Sequence, residues 1–209
     1  MKKLWVMIFV LALAMSAGAQ GFRQLEVRGG YLNPKGTEGG FMLGGSYGFA
    51  FDERVSLSLG ADFFKKNYTQ KDKIADKVTD SGVVINTVTE TLEYNTFLMP
   101  LTANIDIRFP FDQGMNFYTG AGISYQFLFN TEDNFKADVK KKRNYSGFGY
   151  VFRAGMEFIL GSRSALLAEA FYNNAKLKGD KEKVEGLPVW NEVNVSGLGF
   201  RVGVRLEFF

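Results

Sequence analysis

The sequence predicts an all-β protein, an eight-stranded antiparallel up-and-down transmembrane β-barrel. Three observations lead to this fold class. Bulky apolar residues alternate with small or polar ones along most of the chain, tight connections alternate with longer ones, and the chain ends on a strand that is apolar on one face and charged on the other. The elements follow in chain order.

The N-terminus has the composition of a cleaved export signal. Met1–Lys3 is basic, Leu4–Met15 is apolar, and Ala17 and Ala19 have the spacing of an A-x-A cleavage site. A retained anchor is the weaker alternative, because the apolar run is short and no Cys follows that could carry a lipid. We therefore predict a signal peptide over residues 1–19 and an exported barrel domain over residues 20–209.

The composition narrows both fold and chemistry. The 209 residues include 24 Gly and 15% aromatic residues but no Cys, which suits one β-rich domain without disulfides. The formal charge of +3 is too small to argue for a nucleic-acid partner. With no His, a Ser–His–Asp arrangement and a His-ligated metal are both excluded. We predict no enzymatic activity, no catalytic residues, no metal and no cofactor.

Eight alternating segments follow the signal peptide. The predicted strands are 24–32, 41–51, 55–68, 90–109, 115–130, 144–160, 164–177 and 192–209. Their tight connections are 51–54, 110–114 and 161–163, and their longer polar connections are 33–40, 69–89, 131–143 and 178–191. Short turns at one end and long loops at the other are typical of outer-membrane barrels.

The two faces of each strand decide between a soluble sandwich and a membrane barrel. In segment 115–130 the bulky face runs from Met115 to Phe129 and the other face carries small or polar residues such as Gly120 and Gly122. A sandwich would bury the bulky face, whereas a barrel turns it to lipid and fills a narrow lumen with the small face. Arg, Asp and Glu lie on the strands while Lys gathers in the connections, which favours the barrel because Arg suits packed ion pairs.

The charged residues on the small face predict an ion-paired lumen. The predicted lumenal charges are Glu26, Arg28, Asp62, Asp106, Arg108, Arg153, Glu157, Glu169, Arg201, Arg205 and Glu207. Acidic and basic groups nearly balance, so they are expected to pair and to plug the barrel. An acid–base pair of Glu157 and Glu169 is conceivable, but salt bridges to Arg153 or Arg201 are the favoured interpretation.

The stretch LEYNTFLMPLTANIDIRF (92–109) carries a family resemblance through Phe97, Met99, Pro100 and Leu101. It resembles a strand of the outer-membrane β-barrel domain family widespread in Bacteroidota, which includes the PorT-like proteins. The resemblance implies a porin-like barrel in the bacterial outer membrane, inserted by the outer-membrane assembly machinery.

The resemblance also implies an assembly signal at the C-terminus, with Phe208 and Phe209 as its residues. Phe208 continues the lipid-facing phase of the last strand, and Phe209 lies one residue beyond it. Since proline cannot donate a ladder hydrogen bond, we also predict a bulge or local break at Pro100.

The predicted function is that of an integral outer-membrane barrel with a side-chain-filled lumen and a structural or surface-interaction role. Segment 83–96 is β-like beyond the length of a span and could pair with 63–69 as a protruding hairpin that binds an envelope protein. The run Lys140, Lys141, Lys142 and Arg143 either contacts lipopolysaccharide phosphates or is a solvated loop. A narrow pore, a hydrophobic-ligand conduit and an accessory component of a secretion system remain alternatives.

Overall fold

The computed structural model describes residues 22–78, 84–134, 139–184 and 187–208. The predicted signal peptide and Phe209 lie outside these ranges. The strands in the described ranges are β1 Phe22–Pro34, β2 Gly40–Ala50, β3 Val55–Val78, β4 Val84–Asp112, β5 Met115–Asn134, β6 Val139–Gly161, β7 Ser164–Val184, β8 Leu187–Asn194 and β9 Gly197–Phe208. The described part of the chain contains no helix long and apolar enough to cross a membrane.

The strands close into a ring. Neighbours along the chain pair antiparallel from β1 to β7, β7 pairs with β9, and β9 pairs with β1 from Arg23 opposite Phe208 to Pro34 opposite Gly197. β8 and β9 are consecutive parts of one wall strand, because β7 pairs with β9 and with the adjoining end of β8, as far as Lys178 opposite Glu192, in the same register. The predicted eight-stranded antiparallel barrel is therefore confirmed.

The last wall strand is interrupted where it leaves β1. Between β8 and β9, the Ser196 carbonyl accepts a hydrogen bond from Lys35 N at 2.8 Å, and Val195 N donates to the Ala175 carbonyl at 3.0 Å. The Ser196 hydroxyl lies 3.1 Å from the Ala175 amide, which donates to it. These bonds satisfy the backbone at the point where the strand stops pairing with β1 and continues as a hairpin with β7.

Tight turns join the strands at one end, called here the short-turn end. They occupy residues 51–54, as predicted, and 113–114 and 162–163, which are shorter than the predicted 110–114 and 161–163. Gly114 has a φ of 93°, which a glycine adopts without steric cost. The Asp52 carboxylate accepts hydrogen bonds from the amides of Val55 at 2.6 Å and Arg54 at 2.7 Å, and these bonds hold the pKa of Asp52 below its usual range.

The opposite end, called here the hairpin end, differs from the prediction. Three of the predicted long loops, 69–89, 131–143 and 178–191, are mostly strand, because β3 to β8 continue far past the predicted boundaries. The lysines that the prediction assigned to loops therefore lie on strands, except Lys136, which is outside the described residues: Lys71, Lys73, Lys77, Lys140, Lys141, Lys142, Lys178, Lys181 and Lys183. The prediction assigned these segments to loops because they are polar. A strand that extends beyond the membrane needs no apolar face, so a polar segment can still form a strand there.

The outward face of the barrel changes character sharply toward the hairpin end. On β3, β4 and β5, an outward-facing aromatic residue is followed by a polar residue at the next outward position toward the hairpin end. This change occurs from Phe63 to Lys65 on β3, from Phe97 to Asn95 on β4 and from Phe129 to Thr131 on β5. Such a change marks the upper edge of a lipid-facing belt, because aromatic rings favour the membrane–water boundary.

Pro100 produces a gap in pairing but no bulge. Ala61 lies opposite Leu101 and Phe64 opposite Leu98 in one unchanged register, while the residues between them are not paired across β3 and β4. The missing amide hydrogen of Pro100 accounts for the gap. Of the two predicted alternatives, a bulge or a local break, the structure has the local break.

Candidate functional site in the barrel lumen

Inward-facing charges fill the lumen from the short-turn end to its middle. The first group surrounds Arg108, whose Nη2 donates to Gln24 Oε1 at 2.8 Å and whose Nε lies 3.4 Å from Glu157 Oε2. Glu207 is part of this group, since Gln24 Nε2 donates to its Oε1 at 3.1 Å. Glu207 is the half-buried member of this group and faces the open mouth of the barrel.

The second group is centred on Glu26. Its Oε1 accepts hydrogen bonds from Arg205, at 2.9 Å from Nε and 2.8 Å from Nη2, and its Oε2 accepts the Ser46 hydroxyl at 2.9 Å. Arg205 also reaches Glu157 Oε2 with Nη1 at 2.7 Å. Arg205 thus joins the two groups.

Arg153 links three carboxylates. It binds Asp106 in two places, through Nη2 and through Nε at 2.6 Å, and its Nη1 lies 3.5 Å from both Glu26 and Glu169. Tyr118 lies beneath it, with the guanidinium carbon 5.8 Å from the ring centroid, and donates its hydroxyl to Glu169 at 2.8 Å. Bidentate binding of this kind needs the planar fork of Arg, which Lys lacks.

The third group lies furthest from the short turns. Arg201 donates to Glu169 at 2.5 Å and to Asp62 at 3.0 Å, and Arg28 donates to the same Asp62 at 3.2 Å. The Phe171 ring supports Arg201 from below, 4.1 Å from centroid to guanidinium carbon. Each group therefore shares a carboxylate or an arginine with the next.

Each carboxylate of the predicted acid–base pair, Glu157 and Glu169, is held by two arginines. Glu157 contacts Arg108 and Arg205, and Glu169 contacts Arg153 and Arg201. Arg108 Nε and Arg205 Nη1 each lie within ion-pair distance of Glu157 Oε2, although none of these three atoms makes a directional hydrogen bond. Within the described residues, no group of three or more His, Cys, Asp or Glu is placed to hold a metal ion.

Two glycines make room for the carboxylates. A Cβ at Gly44 would overlap Asp62 Oδ1, and one at Gly120 would overlap Asp106 Oδ1. Both glycines lie opposite those residues in the strand register. The glycine-rich inner face therefore provides the space in which long charged side chains meet.

A ring of apolar side chains closes the lumen beyond the charges. It follows one row of paired positions across five strands: Met42, Phe64, Leu98, Leu128 and Tyr145. Further buried apolar residues pack against this outer apolar ring: Leu32, Val151, Phe171, Ala175, Leu177 and Val195. The sequence analysis did not predict this ring, although Phe64 and Leu98 share the even-numbered phase of the inward charges Asp62 on β3 and Arg108 on β4.

Two spaces remain beside these layers. A mouth of about 470 Å³ at the short-turn end reaches Arg108, Glu157 and Arg205. A cavity of about 20 Å³ lies between the charges and the outer apolar ring, beside Pro100, Asn104 and Asn173. That volume holds about one water molecule.

The comparison with protein families decides the classification. The model of the outer membrane protein beta-barrel domain matches residues 6–208. The chain belongs to this family. As an outer membrane protein β-barrel domain it lies in the bacterial outer membrane, with its short turns toward the periplasm and its hairpin end outside.

Solved structures support the same fold. The chain is similar to the outer membrane protein OprG from Pseudomonas aeruginosa, with 12% identity, 90% of this chain and 96% of that chain covered, and a TM-score of 0.62. It is also similar to Neisserial surface protein A (15% identity, 90% and 97% covered, TM-score 0.56). A third is Ail of Yersinia pestis in complex with the heparin analogue sucrose octasulfate (9% identity, 90% and 99% covered, TM-score 0.51). A comparison with curated proteins gives no match.

The remaining predicted site residues lie at the two ends of this outer-membrane domain. In the hairpin of β5 and β6, Lys140 lies opposite Asp133 and Lys141 opposite Glu132 in the strand register, and Lys142 is exposed. At the periplasmic end, Phe208 faces outward on β9 opposite Arg23 of β1. Phe209 is outside the described residues.

Proposed function

We propose that this outer-membrane barrel is a non-enzymatic structural and surface-interaction protein that acts through its extracellular hairpins while its lumen stays filled. One observation carries the proposal. The strand pairing of β3 to β6 continues past the belt edge, to Val78 opposite Val84 in one hairpin and to Asn134 opposite Val139 in the other.

These hairpins form one raised sheet. β4 and β5 remain paired as far as Leu92 opposite Asn134, so the two hairpins share a common edge. β1 and β2, in contrast, stop pairing at Leu32 opposite Gly40. The barrel is therefore tall on one side and low on the other, which offers an asymmetric surface to an envelope protein partner.

Lipopolysaccharide is the second proposed partner, through the basic run. In the strand register, Lys140 lies opposite Asp133 and Lys141 opposite Glu132, and oppositely charged residues favour one another at such positions. Lys142 is exposed and lies opposite Thr131, so we assign the phosphate contact to Lys142 and the adjacent Arg143. The polyanion bound to Ail in its crystal structure supports this type of contact on a similar fold.

Replacing Lys142 and Arg143 with Ser should reduce lipopolysaccharide co-purification, whereas Ser at Lys140 and Lys141 should change it less. Equal losses from both double variants would assign the effect to net charge. Unchanged binding in the Lys142 and Arg143 variant would remove the contact from the proposal.

The pore and conduit alternatives have less support. The cavity beside Pro100 is about 20 Å³, whereas binding cavities for small organic ligands occupy about 300–1,000 Å³. An accessory role in secretion is compatible with the raised sheet, since that sheet could equally bind a secretion component.

The proposal includes export and membership of the Bacteroidota branch. The motif around Pro100 supports the branch, and the A-x-A pattern supports cleavage after Ala19. The intact mass of protein purified from outer membranes should correspond to a chain that begins at Gln20. A mass that retains residues 1–19 would contradict the cleavage.

Assembly by way of Phe208 predicts that Phe208→Ala lowers the yield of folded barrel in the membrane.

Shortening the tall hairpin tests the surface role. Thr69 lies opposite Glu93, so the residues between them can be replaced by Asn-Gly, a two-residue hairpin turn. The matched control shortens the β7–β8 hairpin between Lys178 and Glu192, which are also opposite each other. Amine-reactive cross-linking in native envelopes should lose its adducts in the first variant only. Unchanged adducts in a folded first variant would contradict the role of the raised sheet.

A further inference from the structure

A groove of about 590 Å³ runs along the outward wall where β1, β2, β7 and β9 meet. Gly29 and Ala168 form part of its floor, and Tyr31, Phe41 and Phe200 frame it. The rings of Tyr31 and Phe41 contact edge to face, with centroids 5.8 Å apart, which gives the groove a fixed rim. The groove is thus a built feature of the lipid-facing wall.

Gly29 is the residue that keeps the groove open. The adjacent Gly30 faces the lumen, where a Cβ would overlap the Phe200 carbonyl oxygen and lie 2.7 Å from Arg201 Cα. A Cβ at Gly29 would instead meet nothing nearer than Leu43 Cδ1 at 3.7 Å and Met42 O at 3.8 Å. Packing within the barrel therefore requires glycine at position 30 but not at position 29.

We propose that this groove binds one acyl chain of an outer-leaflet lipopolysaccharide molecule. Gly29 is one outward position below Tyr31, the last outward residue of β1 before the polar end, so the groove lies in the outer half of the belt. Acyl chains are the solvent there, and an apolar concavity in contact with them is filled by one of them.

The headgroup of such a lipid would meet a cation. Lys35 is exposed and directly follows Pro34, the last residue of β1, four residues beyond Tyr31 toward the hairpin end. Its backbone amide is held by the Ser196 carbonyl at 2.8 Å, so the residue is anchored at this edge of the barrel. An ammonium group here suits a phosphate above an acyl chain in the groove.

A second copy of the chain is the weaker occupant. Two barrels meet along convex walls, which limits their contact area, whereas stable protein interfaces bury roughly 1,200 Å² or more. The groove is shallow and covers two neighbouring outward rows across β2, β1, β9 and β7, a size that suits a single chain of methylene groups. The inference depends on the outer-membrane location and is independent of the proposed contact at Lys142 and Arg143.

Filling the groove tests the inference. Gly29→Leu places a side chain in the groove with room for its Cβ, and Ala121→Leu places the same leucine side chain on the outward face of β5 as a control. Each barrel is reconstituted in nanodiscs of phosphatidylethanolamine with or without lipopolysaccharide, and bound lipid is counted by native mass spectrometry after mild release. The heat-dependent shift on electrophoresis confirms that each variant is folded.

We expect the wild type and Ala121→Leu to retain one lipopolysaccharide, and Gly29→Leu to retain it about tenfold less, the effect of losing roughly two methylene contacts. Equal retention by all three proteins would overturn the inference. Retention of phosphatidylethanolamine to the same extent would overturn the choice of lipopolysaccharide. A wild-type dimer that Gly29→Leu converts to a monomer would assign the groove to a second copy.

Discussion

Arg153 shows how a charge is stabilised inside this barrel. It contacts Asp106, Glu26 and Glu169 and is almost completely buried. A buried ion of either sign costs several kcal/mol when its partner is absent, because water no longer solvates it. The ion pairs therefore add little net stability themselves, but without them the charged side chains could not stay buried in the lumen.

Arg153→Met should destabilise the barrel by about 3–5 kcal/mol, because it removes the cation that binds buried Asp106 in two places and that Glu26 and Glu169 share. Urea unfolding in lipid vesicles, followed by electrophoretic mobility, gives the free energy. Lys142→Met, on the exposed surface, should change it by no more than about 0.5 kcal/mol. A loss below about 1 kcal/mol for Arg153→Met would show that water reaches the lumen and solvates the carboxylates.

Gly44 allows a second test at the residue scale. Gly44→Ala should cost about 1–3 kcal/mol, since the new methyl group displaces the Asp62 carboxylate from Arg28 and Arg201. Gly29→Ala is the matched control on the outward face, where a methyl group has room. The same unfolding measurement applies to both variants. Equal stabilities would contradict the close packing inferred for the inner face.

Much of this residue-level detail follows from the phase of each strand. Charged residues in phase with glycine lie inside, as the sequence predicts for Arg201 and Arg205. The partners do not follow from phase, because they depend on the stagger of the strands around the barrel. Arg201, for example, lies directly opposite Glu169 across β7 and β9 but also binds Asp62 on β3, which is not a neighbouring strand.

At the scale of elements, the outer apolar ring divides each inward face into two parts. Along β4, Asp106 and Asn104 lie on the charged side, Pro100 lies beside the small cavity, and Leu98 belongs to the ring. Charges thus occupy the part of the lumen that opens toward the periplasm, and apolar side chains occupy the part beneath the hairpins. The ring seals the barrel where water would otherwise enter from outside.

Phe63 and Phe64 are adjacent on β3 but face opposite sides of the barrel wall. Phe64 is fully buried in the ring, whereas Phe63 faces outward. Phe64→Ala should cost about 3–5 kcal/mol because it leaves a cavity. Phe63→Ala should cost about 1.5–3 kcal/mol, the transfer contribution alone, since lipid fills the vacated space. Equal costs, measured by unfolding in lipid vesicles, would contradict the assignment of Phe64 to a packed ring.

Strand boundaries are predictable at one end of the barrel and not at the other. The tight turns place the starts of β3, β5 and β7 at Val55, Met115 and Ser164, as the sequence predicts. At the hairpin end the predicted strands stop where hydrophobicity stops. The pairing of Thr69 with Glu93 shows that hydrogen bonding between strands continues without an apolar face.

At the scale of the whole molecule, closure of the sheet into a barrel removes its free edges within the lipid-facing belt. β1 and β9 pair along nearly their whole length, so the first and last strands protect one another. A narrow barrel has a lumen that side chains can fill. Here a layer of charged side chains near the short turns is followed by a layer of apolar side chains beneath the hairpins. Alternation, turn spacing and the small inner face predict the closed barrel, but the order of layers along the lumen emerges only from the fold.

Single-channel recording in planar lipid bilayers tests the filled lumen most directly. We expect the refolded wild-type barrel to insert without steady conductance, while a wide porin treated in the same way conducts and so controls for insertion. The charge network and the outer apolar ring would both have to move aside for ions to pass. Large, steady single-channel currents from the wild-type protein would contradict the account.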